Sequence, residues 1–335
     1  MHDVIVIGAG VAGLRCARGL RAAGADVVLV DRADKVGGRC ATRSFEGQAV
    51  DYGPLFIHGR DKEFLAAVGE CAGVHRLDGW PHQVAGHGTP CQPEAFAPRE
   101  TRLAFVEGIN AFPQALASGL KVRLRTQVST LSALEGCIRI ESKDGTQLQA
   151  RDLVLAMALE QSVPFLRMLG PGSERDGALA LLDMFASVAC LTLIAGYPRG
   201  VPAPEWDICY PEDDKALQLI GNESRKRPPG RFVTLVYQAA PRWSREWFSK
   251  PKEEWSRELL MRAGRRLGAW ADSPEWTHPH RWHFARLDRA NELAAPLVLR
   301  VGRSRIGVAG DLFAPGGGIQ AAWISGGRLA ERFAE

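Results

Sequence analysis

Three glycines near the start of the chain have the spacing of a dinucleotide-binding motif. They form the sequence Gly8-Ala-Gly10-Val-Ala-Gly13. The first glycine of such a motif allows a tight turn, the second lets the backbone approach a pyrophosphate, and the third allows a helix to pack closely on a sheet. That helix would begin at Val11 and Ala12, with its free N–H groups facing the phosphates. The alternative is a glycine-rich turn with a structural role only.

An acidic residue follows at the position expected for a ribose contact. Asp31 lies 23 residues after Gly8 and ends a second apolar segment, and Arg32 comes next. A carboxylate there can hydrogen-bond the ribose hydroxyls of an adenosine and would repel a 2′-phosphate. The sequence therefore disfavours NADP as the nucleotide held at this site.

A second glycine pair, Gly37-Gly38, is followed at once by Arg39. The backbone N–H groups of the pair can approach the same pyrophosphate, and the arginine can place a planar, permanently charged guanidinium on it. A simple NAD site does not need this second clamp, whereas a cofactor that is kept through many turnovers would benefit from it.

The elements that must position these residues indicate an α/β fold. Residues 4–7 and 27–30 are continuous apolar runs typical of buried parallel strands, and residues 11–23 between them are predicted to form a helix. Residues 305–311 are again typical of a buried strand, and a helix rich in small residues is predicted to follow it. We therefore expect a Rossmann-like parallel sheet built from both ends of the chain, with an inserted α+β substrate domain.

Both predicted domains are discontinuous in sequence. The sequence between residues 164 and 290 is rich in tryptophan and arginine, unlike the two ends of the chain. The cofactor-binding domain is expected to comprise residues 1–60, 105–163 and 290–335. The substrate-binding domain is expected to comprise residues 61–104 and 164–289.

The composition narrows the function classes. The 335 residues are 46% hydrophobic, enough for a sizeable core, with a formal net charge of +4. Lysine and arginine are scattered, so nucleic-acid binding is not expected, and no apolar run approaches the roughly 18 residues of a membrane span. The seven cysteines form no Cys-x-x-Cys pair and no zinc-ligand spacing with histidine, which indicates reduced thiols and no metal site. Strand-like sequence begins at Val4, so we expect no signal peptide and a cytoplasmic protein.

Taken together, Gly8-x-Gly10-x-x-Gly13, Asp31, Gly37-Gly38-Arg39 and Asp51-Tyr-Gly53 resemble the FAD-binding N-terminus of the flavin-containing amine oxidase superfamily. The resemblance implies FAD in a Rossmann-like domain of the GR2 type. Val128, Gly310-Asp311 and the segment beginning at Gly318 match positions that meet the adenine, the ribityl or pyrophosphate part, and the flavin carbonyl oxygens. The cofactor-binding residues expected from the motif and the resemblance are Gly8, Gly10, Val11, Ala12, Gly13, Asp31, Arg32, Gly38, Arg39, Leu55, Phe56, Val128, Gly310, Asp311, Gly318, Ile319, Gln320 and Ala321.

Within the superfamily, the chain is similar to the bacterial renalases over nearly its whole length. The segments that carry this similarity are residues 51–61, 221–228, 243–246, 280–286 and 321–326. The resemblance implies an oxidase that passes a hydride from dihydronicotinamide isomers of NAD(P)H to the flavin, which molecular oxygen then reoxidises with release of hydrogen peroxide.

Several residues are expected near the flavin and a small-molecule substrate. They are Phe56, Asn222, Arg225 and Trp282 in the substrate pocket, with His280 and His58 as catalytic candidates. Each has a structural alternative, as a core aromatic residue, a structural histidine or part of a solvated loop. No cysteine lies between Gly310 and Gly326, so we expect FAD to be bound non-covalently.

Two other functions are consistent with the same cofactor. One is an amine or other CH–X oxidoreductase, which would need an aromatic cage and a lysine near the flavin; the chain has only four tyrosines and no obvious lysine for this role. The other is a flavin-binding protein without turnover.

Overall fold

The computed structural model of the chain describes residues 1–288 and 292–335. Its strands, in chain order, are β1 (His2–Ile7), β2 (Val27–Val30), β3 (Thr42–Phe45), β4 (Gln48–Asp51), β5 (Ile57–Gly59), β6 (Arg76–Asp78), β7 (Val84–Ala85), β8 (Thr101–Phe105), β9 (Lys121–Arg123), β10 (Val128–Leu134), β11 (Cys137–Ser142), β12 (Gln147–Leu155), β13 (Ser187–Pro198), β14 (Ile208–Cys209), β15 (Leu217–Asn222), β16 (Phe232–Ala239), β17 (Trp276–Leu287), β18 (Leu297–Val301) and β19 (Ser304–Val308). Its α-helices are α1 (Val11–Ala22), α2 (Lys62–Gly69), α3 (Ala111–Ala117), α4 (Leu159–Arg167), α5 (Ser173–Leu182), α6 (Pro241–Trp247), α7 (Lys252–Leu267) and α8 (Gly318–Ala334).

The largest sheet has a parallel centre with the strand order β9-β2-β1-β12-β19. On the side away from β1, β12 pairs first with β11 and then with β19. Residues 4–7 of β1 are at most 4% exposed, as expected for an apolar strand covered on both faces. The predicted Rossmann-like parallel sheet, built from both ends of the chain, is confirmed.

Helices cover both faces of this sheet. Val4 and Val6 point into a core shared with α1 and α8, whereas Ile5 and Ile7 point into a core shared with α4 and α5. The α1 and α8 helices touch closely, since a Cβ atom at Gly326 would lie only 2.2 Å from the backbone oxygen of Ala12. Each of these helices follows the end of a parallel strand, so both begin at the carboxyl edge of the sheet, where α/β proteins bind ligands.

The second large sheet has the strand order β17-β13-β16-β15-β14-β7 and is antiparallel except where β7 joins β14. Its core contains Tyr197, Tyr237 and Trp255, with α6 and α7 contributing. The long strand β17 forms one edge of this sheet. Smaller sheets are formed by β3 with β4 and by β5, β8 and β6.

The alternating sequence of residues 122–128 predicts a single strand, but the structure breaks it at Arg125, whose φ of 55° and hydrogen bond to Ala33 turn the chain around the end of β2. The expected boundary at 163/164 falls inside α4, and α5 packs in the same core as the parallel sheet. Phe64 of α2 likewise packs against Trp323 of α8. We therefore propose that α2 and residues 164–182 belong with the cofactor-binding domain. The boundary at 289/290 lies outside the described residues.

Among the helices of the two described stretches, none is both long and apolar enough to cross a membrane.

Candidate active site

A cavity of about 570 Å³ lies between the parallel sheet and the edge strand β17. Many of the predicted site residues line it, and they come from both ends of the chain and from β17. They are Gly8, Gly10, Val11, Ala12, Asp31, Arg32, Gly38, Arg39, Val128, His280, Trp282, Gly310, Asp311, Gly318 and Ile319.

The N-terminus of α1 opens into this cavity without a capping side chain. Gly10 is the N-cap, no side chain accepts a hydrogen bond there, and the first turn contains no acidic residue. The φ of Gly10, −78°, does not require glycine, and a Cβ atom built on Gly10 would meet no protein atom within 4 Å. The surrounding protein therefore does not explain the glycine at this position. A phosphate that approaches the backbone at Gly10 explains why this residue has no side chain.

The N-terminus of α8 has the same character. Its N-cap is Gly317, again without a side-chain hydrogen bond and without an acidic residue in the first turn. Gly317 and Gly318 have positive φ values of 58° and 69° and both line the cavity. Two uncapped helix N-termini thus direct their partial positive charge toward one cavity, which favours a bound anion or a group that gains negative charge.

Asp31 and Arg32 lie at the end of the cavity beyond β2. The Asp31 carboxylate accepts hydrogen bonds from the backbone N–H groups of Ala9 at 2.7 Å and Ala33 at 2.8 Å. It therefore supports the glycine turn as well as facing the cavity. With its amide oriented so that the oxygen faces Arg32, Gln161 accepts from that guanidinium at 2.7 Å.

Arg39 makes a bidentate pair of hydrogen bonds with Asp311. The two terminal guanidinium nitrogens donate to the two carboxylate oxygens at 2.9 and 2.7 Å. Burial works against the charge on Arg39, but the Asp311 carboxylate outweighs it and raises the pKa of the arginine. The guanidinium is therefore charged and held in a fixed orientation at the cavity wall.

At the β17 end, the cavity is lined by aromatic rings. The His280 ring lies 4.3 Å from the Trp282 ring and 5.0 Å from the Tyr52 ring, in edge-to-face geometry, while Tyr52 and Trp282 are stacked at 5.5 Å. We call Tyr52, His280 and Trp282 the aromatic cluster. His280 and Trp282 both line the cavity, and their roles toward a substrate remain predictions.

His280 is held in its neutral form. Burial, with smaller contributions from the nearby His278, Arg43 and His283, lowers its pKa to about 4. At neutral pH its imidazole therefore offers one N–H donor and one nitrogen lone pair.

Several predicted residues do not line the cavity. Leu55 and Phe56 are buried in a separate core, where Phe56 packs against Trp80 and Phe96. Gly13 packs against the backbone oxygen of Gly8, which serves helix packing rather than ligand contact. These three residues lie behind the residues that line the cavity.

The remaining five are also engaged elsewhere. The Gln320 side chain accepts from the backbone N–H groups of Arg60 and Asp61, and Ala321 is fully buried in α8. His58 pairs with Glu100 at 2.9 Å. Asn222 donates to the carbonyl of Pro204, and Arg225 donates to Asp207. The structure therefore gives His58, Asn222 and Arg225 structural partners instead of a place at the cavity.

Gly37, which belongs to the predicted glycine pair, also lines the cavity. It forms a β-bridge with Gly10 and donates its N–H to the carbonyl of Ala9 at 2.8 Å. Other cavity residues were missed in the sequence. Pro54, Gln92 and Glu292 also line the cavity, and Glu292 accepts from the N–H of Gly316 just before α8. Their positions depend on contacts far apart in sequence, and no local pattern marks them.

These features fit FAD. The open backbone at Gly10, the charged Arg39 and the α1 N-terminus are suited to its pyrophosphate, Asp31 to its ribose, and the α8 N-terminus to its flavin ring. The cavity-lining cysteine, Cys40, is buried, which raises its thiol pKa to about 12 and leaves it unreactive.

Comparisons with known proteins agree with this fold and with a flavin cofactor. A family model for NAD(P)-binding Rossmann-like domains matches residues 6–71, and one for flavin-containing amine oxidoreductases matches residues 87–333. Putrescine oxidase of Kocuria rosea is 42% identical over 69 residues, which are 21% of this chain and 14% of that protein. (S)-6-hydroxynicotine oxidase of Paenarthrobacter nicotinovorans is 26% identical over 204 residues, 56% of this chain and 44% of that protein. In these matches the chain spans less than half the length of the relatives.

A solved structure, cyclohexylamine oxidase from Brevibacterium oxydans IH-35A, superposes with a TM-score of 0.74 at 16% identity, over 99% of this chain and 98% of its own. It shows the same fold. The matches support the superfamily, and FAD with it; they favour the predicted alternative, oxidation of an amine or other CH–X substrate, over oxidation of dihydronicotinamide isomers. The narrower resemblance to renalases stays a prediction. Since the amine oxidoreductase match extends over more than half of the sequence, the chain belongs to the flavin-containing amine oxidoreductase family.

Proposed function

We propose that this protein is an FAD-dependent oxidase that acts on a small amine or other CH–X substrate, with molecular oxygen as the electron acceptor. The observation that carries the proposal is the single cavity that joins two uncapped helix N-termini to the aromatic cluster. One end is suited to a dinucleotide and the other to a small apolar or ring-containing molecule. When bound, FAD supplies the redox chemistry, taking two electrons from the substrate and passing them to oxygen.

The residues of the chain would bind and orient both partners. Arg39 and the α1 N-terminus would hold the pyrophosphate, and the α8 N-terminus would stabilise negative charge on the flavin ring. Trp282 presents its ring to the cavity, with the Tyr52 ring stacked against it, and would exclude water and orient a flat or apolar substrate.

The surroundings of the aromatic cluster favour an uncharged substrate nitrogen. Arg43 lies 5.9 Å from the centre of the Tyr52 ring and hydrogen-bonds His278 at 3.2 Å. These basic neighbours disfavour an ammonium ion, so an amine would bind as the free base, the form in which the nitrogen lone pair can assist hydride loss from the adjacent carbon. The neutral His280 can accept a hydrogen bond from that nitrogen.

We also propose that FAD is held without a covalent bond, which the unreactive Cys40 and the cysteine-free segment from Gly310 to Gly326 support. Acid precipitation should release all the yellow flavin into the supernatant.

The test of the function is anaerobic mixing of the FAD-loaded protein with benzylamine, cyclohexylamine and putrescine, and separately with 2- and 6-dihydronicotinamide isomers. Bleaching of the flavin absorbance by an amine, with hydrogen peroxide formed on admitting air, is expected. Bleaching only by the dihydronicotinamides would replace the amine substrate by the renalase-like one. No bleaching by any of them would favour a flavin-binding protein without turnover.

A further inference from the structure

The short segment from Asp51 to Leu55 leads from β4 toward β5 and contacts residues of the cavity wall. Gly53 lies directly against the Arg39 backbone, since a Cβ atom on it would be 2.1 Å from the Arg39 carbonyl oxygen. Pro54 lines the cavity, and the Tyr52 ring belongs to the aromatic cluster. The position of this segment therefore sets one wall of the site.

Side chains from the antiparallel-sheet side bind its backbone at nearly every residue. Glu223 accepts from the N–H of Asp51 at 2.8 Å, and Trp282 donates to the carbonyl of Tyr52 at 3.0 Å. Gln238 donates to the carbonyl of Gly53 at 2.6 Å.

Lys226 binds the two ends of the segment at once. Its ammonium donates to the Asp51 carboxylate at 2.9 Å and to the carbonyl oxygen of Leu55. The ammonium also lies 2.6 Å from a Glu223 carboxylate oxygen and 4.3 Å from the centre of the Trp80 ring. The Lys226 and Asp51 side chains are completely buried.

The stability of the fold alone does not explain why the buried residues Lys226, Asp51 and Glu223 are charged. Desolvation of buried ions costs about as much as their attraction returns, so well-packed apolar residues would stabilise the fold equally well. What apolar residues cannot do is direct hydrogen bonds to particular backbone atoms. The ammonium and the Gln238 amide do this for the carbonyls of Leu55 and Gly53.

We propose that Lys226 and Gln238 are positioning residues that fix the Asp51–Leu55 segment, and through it Arg39 and the Tyr52 ring, relative to FAD. They touch neither cofactor nor substrate. The proposal rests on the proposed function, because it assumes that the cavity binds FAD.

The test compares Gln238→Leu with Tyr237→Phe in the full chain. These neighbours in β16 point to opposite faces of the sheet, and Tyr237 loses only a hydrogen bond with Tyr197 in the distant core. The FAD dissociation constant, the visible circular dichroism of the bound flavin and the urea midpoint are measured for each. Gln238→Leu should weaken FAD binding about tenfold and change the flavin dichroism. Tyr237→Phe should lower the urea midpoint with both flavin readouts unchanged.

Lys226→Met should have a larger effect on FAD binding than Gln238→Leu. If it does not fold, Gln238→Leu still decides the question. Flavin binding and dichroism in Gln238→Leu that match the parent would overturn the positioning role. A parent protein that takes up no FAD would instead overturn the function on which this inference rests.

Discussion

Arg39 and Asp311 are 272 residues apart in sequence, yet their side chains meet in two hydrogen bonds of 2.9 and 2.7 Å at the wall of the cavity. The pair joins the N-terminal glycine segment to the segment before α8. Because the carboxylate uses both terminal nitrogens of the guanidinium, Arg39 reaches any phosphate in an orientation that Asp311 dictates.

The pair predicts a non-additive effect on FAD binding. Arg39→Ala should raise the FAD dissociation constant about 100-fold, because it removes a positive charge and leaves the Asp311 carboxylate unpaired near the phosphates. The double variant Arg39→Ala/Asp311→Asn should bind FAD about tenfold more tightly than Arg39→Ala, a difference of about 1.4 kcal/mol, whereas Asp311→Asn alone should weaken binding, so that the cycle of the three variants is non-additive. Fluorescence titration of each apoprotein with FAD measures both constants. If the substitutions at Arg39 and Asp311 change the FAD dissociation constant by independent factors that multiply in the double variant, Asp311 does not act through Arg39.

Gly10 and Gly13 predict opposite outcomes for the same substitution. Gly10→Ala should leave the urea midpoint of the apoprotein nearly unchanged, since the new methyl group meets no protein atom, yet weaken FAD binding at least tenfold. Gly13→Ala should destabilise the fold itself, because its methyl group would lie 2.0 Å from the Gly8 oxygen. If Gly10→Ala binds FAD like the parent, no phosphate approaches this backbone.

The site residues whose positions could be predicted from the sequence are those that lie close together in the chain. The glycines at 8, 10 and 13 and Asp31 all lie within one β-α-β unit, so spacing alone places them at one edge of the sheet. The direction of the Phe56 side chain could not be predicted in this way. The preceding segment accepts hydrogen bonds from Lys226 and Gln238, which lie in two separate elements 171 and 185 residues beyond their partners in the chain.

The predicted pocket residues Asn222 and Arg225 show the same limit. Their type and loop position suited a polar substrate, but Asn222 donates to the Pro204 carbonyl and Arg225 donates to Asp207 instead. Likewise, the residues near His58 in the sequence do not predict that it pairs with Glu100. Hydrogen-bond partners separated by tens of residues follow from tertiary packing and not from local pattern.

The neutral His280 predicts a pH dependence of stability. Its folded pKa of about 4 lies below the ordinary 6.5, so between these values the unfolded chain binds the proton more strongly and stability falls as the pH is lowered. Relative to His280→Gln, the parent should lose about 1 to 3 kcal/mol more between pH 7 and pH 4.5. Urea unfolding of both proteins at the two pH values measures this difference. Equal losses would mean that His280 titrates normally.

The basic side chains beside the aromatic cluster predict how charge affects ligand binding. Neither benzamide nor benzamidine has an oxidisable C–H group next to nitrogen, and at pH 7 only benzamidine is a cation. Benzamide should bind the FAD-loaded protein at least fivefold more tightly than benzamidine. Arg43→Gln should narrow this difference in affinity, because Arg43 faces the Tyr52 ring. Titrations that follow the flavin absorbance give both dissociation constants. Tighter binding of the cation to the parent would contradict the proposed preference for the free base.

The close packing of α1 on α8 has a consequence for the order of biosynthesis. The α8 N-terminus and the Asp311 carboxylate, which complete the cavity, are translated more than 290 residues after the turn at Gly8 to Gly13. A ribosome-bound chain therefore carries only part of the cavity until that later segment has emerged. We expect the cofactor to be captured only after the two segments have met, so that its binding reports this late step of folding.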